Sequence, residues 1–142
     1  MMKTAIIYAT KTGHSRKIAN AISSKLGVPA LDIASSPELS NVDLLFLVSG
    51  VYGGQSAPEL IEYVKSIDST KAKNVVFVTS CASGKDKPAE VQKLLEGNGV
   101  TALEDEFICK GGFLFISAFR PNKADIINAA EFAQKIYNSA NN

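Results

Sequence analysis

The chain has 142 residues, 46% of them hydrophobic and 20% charged, and its 15 basic and 14 acidic side chains leave a formal net charge of +1. That length suits one compact domain over residues 1–142, with the composition of an ordinary globular protein rather than a disordered one. The charge gives no argument for nucleic acid or a membrane surface, and two cysteines and one histidine fall short of a disulfide framework and argue against a metal site.

The opening MMKTAIIYAT holds only a brief apolar stretch, too short for a signal-peptide core. "TAIIY" (Thr4 to Tyr8) reads as a strand covered on both faces. From Ser15 the pattern turns helical, with Ile18, Ile22 and Leu26 four apart and Gly27 closing the segment. "PALDI" (Pro29 to Ile33) and "DLLFLVS" (Asp43 to Ser49) predict the second and third strands. Only about nine residues separate them, too few for a full crossover helix, so one helical turn or a plain loop is expected. Pro58 then opens a helix whose face carries Leu60, Ile61, Val64 and Ile67. "NVVFVTS" (Asn74 to Ser80) is a fourth strand, and Val91, Leu94 and Leu95 mark a helix ending near Gly97. "ALEDEFIC" (Ala102 to Cys109) reads as a fifth strand, more polar and so nearer an edge. Ile126, Ala129, Ala130, Ala133 and Tyr137 form the face of a last helix. No run is long enough to span a membrane, and a cytoplasmic protein with reduced thiols is expected. Strands alternating with helices predict a parallel sheet with helices on both faces, a three-layer α/β domain.

In such sheets ligands bind beyond the carboxyl ends of the strands. "YATKTGHSRKIA" (Tyr8 to Ala19) occupies that place, running from strand through tight loop into helix. Gly13 permits a positive φ there, and Thr10, Thr12 and Ser15 add hydroxyls to the unpaired N–H groups of the first helical turn. Donors without a carboxylate suit a phosphate. The plainer alternative is a ligand-free turn with Ser15 as N-cap. The loop matches neither GxxxxGK[ST] nor GxGxxG, and a receiver domain would need acidic residues where Tyr8, Ala9, Thr10 and Ser49, Gly50 stand.

"TKTGHS" (Thr10 to Ser15) resembles the T-x-T-G-x-[ST] phosphate loop of flavodoxins, and the order of elements is similar over essentially the whole chain. The resemblance implies a flavodoxin-like sandwich with a five-stranded parallel sheet of order 2-1-3-4-5. It also implies FMN as cofactor, with Thr10, Lys11, Thr12, Gly13, His14 and Ser15 around its phosphate. In "SGVYGGQSAPELIEYV", Ser49, Gly50, Val51, Tyr52, Gly53 and Gly54 would form the loop against the flavin ring. Tyr52 matches the stacking aromatic, and Gly53 or Gly54 the glycine whose peptide turns toward flavin N5. In "TSCASGKDKP", Ser80, Cys81, Ala82 and Ser83 would flank the far edge of the ring. No residue is assigned a catalytic role. The expected partners are redox proteins, with a monomer as the default state. A small FMN-dependent NAD(P)H or quinone reductase, or a flavin-free binding module of this fold, are the alternatives.

A phosphatase C-x5-R loop starting at Cys81 fails, because the sixth residue on is Lys87, which lacks the planar fork of arginine. The chain also departs from the family. It lacks the acidity of dedicated carriers, and Lys11, His14 and Arg16 make its phosphate loop basic. "KGGFLFISAFRPN" (Lys110 to Asn122) matches no flavodoxin motif and reads as a strand extension into the core, or as an apolar surface for a quinone or a second subunit.

Overall fold

The computed structural model describes residues 2–10, 13–52, 54–81, 87–110 and 120–141. Among these, β1 (Thr4–Tyr8) leads into α1 (His14–Leu26), then β2 (Ala30–Asp32) and a single 3-10 turn at Ile33–Ser35. Next come β3 (Val42–Tyr52), β4 (Gln55–Ser56), α2 (Pro58–Lys65), β5 (Ala72–Cys81) and α3 (Ala89–Gly97). Two short strands, β6 (Thr101–Ala102) and β7 (Phe107–Lys110), precede α4 (Lys123–Ala140). The sheet runs β2-β1-β3-β5-β6, with β7 also on β5 and β4 paired antiparallel to the end of β3. With the two short strands taken as one broken fifth strand, this is the expected parallel order 2-1-3-4-5.

Both faces of the sheet are apolar because the strand sequences are apolar at successive positions, so each face needs its own helical layer. Ile7, Leu45, Leu47 and Phe77 meet Leu60 and Val64 of α2 and Val91 and Leu95 of α3. On the other face, Ile6, Phe46 and Val76 meet Ile18 and Ile22 of α1 and Ala129, Ala133 and Ile136 of α4. Among the described residues, no helix is long and apolar enough to cross a membrane.

Three local differences from the sequence reading have physical causes. Strand five is broken at residues 103–106, where Glu104 and Asp105 are exposed; a run of three carboxylates cannot be desolvated within a sheet. Helix α2 stops at Lys65, with the Ser66 hydroxyl donating to the Tyr63 carbonyl at 2.8 Å, and Ile67 enters the core just past the helix end. Ser15 is not the N-cap. Gly13 holds that position at φ +89°, and the helix begins one residue earlier, at His14. Of the stretch from Lys110 to Asn122, residues 111–119 lie outside the described structure. Beyond them the chain is anchored: Asn122 caps α4 in a reciprocal capping box with Asp125, and the Arg120 guanidinium donates to both Asp125 oxygens.

Candidate functional site

The site region begins where β1 ends. The Ala9 N–H donates to the Val48 carbonyl at 3.0 Å, holding the strand to β3 until the chain turns. Thr10 Oγ1 then accepts from the Gly13 N–H at 2.8 Å, closing the turn from within. Gly13 takes its left-handed conformation and α1 starts with no side-chain cap and no acidic residue in its first turn. The amino end of a 13-residue helix therefore projects its N–H groups and positive dipole end toward the carboxyl edge of the sheet. Around it stand His14, Arg16 and Lys17, the last two exposed. Burial, and then the charge of Lys17, holds the His14 imidazole below its ordinary pKa, and its Nδ1 is buried without a partner.

Thr10 after β1, Ser15 in the first turn of α1, and Ser49 and Gly50 of β3 line a single cavity of about 670 Å³. Ser15 and Ser49 are 3% and 1% exposed. The Ser49 hydroxyl has no hydrogen-bond partner, and neither do those of Thr79 and Ser80. Ser49 pairs in register with Thr79, so these two side chains share one face of the sheet, whereas Ser80, the next residue of β5, points to the other. Buried hydroxyls without partners are costly unless something else satisfies them. Of these three only Ser49 lines the cavity, where a ligand bearing a donor or acceptor would satisfy it.

The other predicted residues divide cleanly. Ser49 to Tyr52 of the expected ring-side loop lie within β3, where Val51 and Tyr52 pair antiparallel with Ser56 and Gln55 of β4, and Gly54 adopts φ +77°. Val51 turns its side chain into the protein, 1% exposed. Ser80 and Cys81 end β5 beside the β3–β4 hairpin, both fully buried. A buried Cys81 also has no route to a phosphoester, which removes the remaining ground for a thiol nucleophile. Lys11, Thr12, Gly53, Ala82 and Ser83 lie outside the described residues, as does the side chain of Tyr52.

Sequence reasoning missed the far wall of the cavity. Asp32, Ile33, Ala34 and Ser36 come from the end of β2 and the turn after it, and Glu59, Glu62 and Tyr63 from α2. Tyr63 ties these two walls together, its hydroxyl donating to the Pro37 carbonyl at 2.6 Å. Only the nine-residue gap before β3 hinted at an open place here.

A left-handed glycine between the first strand and an uncapped helix, at the strand ends of a 2-1-3-4-5 sheet, places this chain among α/β proteins of the doubly wound, flavodoxin-like type. Residues 5–131 match the flavodoxin domain, and the chain belongs to that family, whose members bind flavin, typically FMN. The chain is 29% identical to the uncharacterized protein MJ0298 of Methanocaldococcus jannaschii over 95% of its own length and 98% of the relative's. Its fold matches a short-chain flavodoxin associated with a non-canonical PDU bacterial microcompartment, with TM-score 0.70, 19% identity and coverage of 98% and 99% of the two chains. It also matches oxidised flavodoxin 2 of Bacillus cereus, with TM-score 0.71 and 16% identity over 96% and 99% of the two chains.

Proposed function

We propose that this chain binds FMN and transfers electrons between redox partner proteins. The observation that carries this reading is the start of α1: a left-handed glycine, an uncapped helix end and hydroxyls, with no carboxylate within the first turn. Thr10, Lys11, Thr12, Gly13, His14 and Ser15 would hold the phosphate, and Ser49 to Gly54 the ring side. Ser80 to Ser83 would close the far edge. The flavin supplies the redox chemistry when bound, while these residues bind it, orient it and keep water from its buried edge. The basic first turn would neutralise the phosphate dianion through charge-assisted hydrogen bonds.

A near-neutral surface sets this chain apart from carriers steered by charge, since a formal charge of +1 gives no long-range field for docking. That one observation favours the second reading, a reductase with its own small substrate. Purified protein carrying FMN is expected to be yellow. Replacing Thr12 and Ser15 together with alanine should weaken FMN by about 2–4 kcal/mol and riboflavin, which lacks the phosphate, far less. Equal losses for both ligands would remove the phosphate assignment. Steady-state oxidation of NAD(P)H with a quinone acceptor separates reductase from carrier.

A further inference from the structure

The cavity is larger than the phosphate loop needs, and part of it lies away from the expected ring side. The flavin ring is expected toward β3 and β5, whereas this space opens over the end of β2, where no crossover helix covers the sheet. Its two ends differ in charge. Thr10 and Ser15 line the end beside the uncapped start of α1, and the remaining walls carry Asp32, Glu59 and Glu62 with no lysine or arginine among the described lining residues. The floor between them holds Ser49, whose hydroxyl is buried and unpartnered.

A ligand matched to this has a phosphate at one end and hydrogen-bond donors at the other. Asp32 is the last residue of β2, roughly twenty positions beyond Gly13. In dinucleotide-binding sheets of the Rossmann type, a carboxylate about that far beyond the glycine loop accepts from the ribose 2′-hydroxyl. The Ala34 N–H fixes Asp32 Oδ1 at 3.0 Å, and Oδ2 makes no hydrogen bond among the described residues. Tyr63 lines the opposite wall while packing against the core, its hydroxyl tied down at Pro37, and an aromatic ring held there can flank a base.

We propose that this cavity receives the adenosine half of a dinucleotide, with Asp32 accepting from the ribose hydroxyls and Tyr63 flanking the base. It rests on the reading that the Gly13 loop receives a phosphate. The adenosine can arrive as part of FAD, whose flavin half would take the FMN position, or as part of NADH brought to the FMN-loaded protein. A ribose 2′-phosphate is repelled by Asp32, so NADPH binds more weakly than NADH.

The test titrates the ligand-free chain with FMN, FAD and ADP, and the FMN-loaded chain with NADH and NADPH. Asp32→Asn keeps an acceptor for the Ala34 N–H and so preserves the turn; Ala34→Trp fills the cavity from its open side. Both variants should lower affinity for ADP, and for whichever of FAD and NADH is the physiological ligand, roughly ten- to a hundred-fold, with FMN unchanged. FAD binding tighter than FMN points to the first source, and NADH binding the FMN-loaded chain to the second. FMN binding with no adenosine ligand sensitive to either variant overturns the proposal and leaves the flavin reading intact. Asp32-dependent ADP binding without FMN binding does the reverse.

Discussion

Replacing Gly13 with alanine tests whether the turn at the start of α1 serves a ligand or only the fold. A methyl group at this position meets nothing within 4 Å, so the cost is torsional rather than steric. At φ +89° an L-residue is disfavoured by about 1–2 kcal/mol, offset by about 0.4–1 kcal/mol because alanine narrows the unfolded ensemble. The net loss, at most about 1.6 kcal/mol, should lower Tm by no more than roughly 6 °C for a domain of this size. Gly27, the C-cap of the same helix at φ +70°, has equally open surroundings and lies at the far end from the cavity. Gly27→Ala should therefore cost about the same stability. Only Gly13→Ala should also weaken FMN, because a loop relaxing out of the left-handed region withdraws N–H donors from the phosphate. Losing one donor to a charged oxygen costs about 1.5–3 kcal/mol, roughly ten- to a hundred-fold in Kd. Thermal melts and quenching of FMN fluorescence measure the two effects, with riboflavin as the control. Should Gly27→Ala weaken FMN as much as Gly13→Ala does, the loss reports stability alone and the assignment of this loop fails.

Other groups give independent checks. Asp125 is held below the ordinary aspartate pKa, chiefly by the Arg120 guanidinium, with the Asn122 N–H adding to it. A depressed carboxyl adds stability that is full above the unfolded value near pH 4 and lost as pH falls through the folded one, so Asp125→Asn should flatten the acid limb of urea-unfolding midpoints below about pH 4. An unchanged limb would show that Arg120 and the cap add nothing. Burial pushes the Cys109 thiol up to about 12, and iodoacetamide at pH 8 should modify it only after unfolding; rapid labelling of the native protein, read by mass spectrometry, would contradict its placement. Burial likewise raises the Tyr63 phenol to about 12, so an ultraviolet titration should show a late tyrosine step near that pH, and Tyr63→Phe should abolish it.

Much of the fold is written in local pattern. Thr4–Tyr8 is a strand with the bounds its apolar run suggests, and Gly27 closes α1 where the helical spacing ends. Gly13 shows the positive φ that a turn between strand and helix demanded. The broken fifth strand was less legible, because its β-forming ends and its acidic middle pull in opposite directions and only the desolvation cost decides. The anchor of α4 did carry a signal, Asn122 followed three residues later by Asp125, but the phenylalanines just before it drew attention to packing instead. The cavity wall could not be read at all. Asp32 and Tyr63 are remote in sequence, and nothing in either segment alone says that a tyrosine on α2 will reach the turn after β2.

That wall is the consequence of a missing helix. A parallel crossover normally brings a helix back over the sheet, and here nine residues after β2 must do the same work. They bury Leu39, 8% exposed, and leave Leu31 on the edge strand 39% exposed. Each large aliphatic side chain left uncovered forgoes about 1.5–3 kcal/mol, so the short connection weakens this edge of the domain. The Tyr63 hydroxyl bond to Pro37 holds the connection against α2, which keeps the space between them open and its walls in place. An edge thinned in this way gains a polar-rimmed cavity beside the phosphate loop, where the sheet order reverses and nucleotides bind in folds of this type. A longer connection with its own helix would restore the buried area and close that space, so stability and ligand capacity are opposed at this one edge.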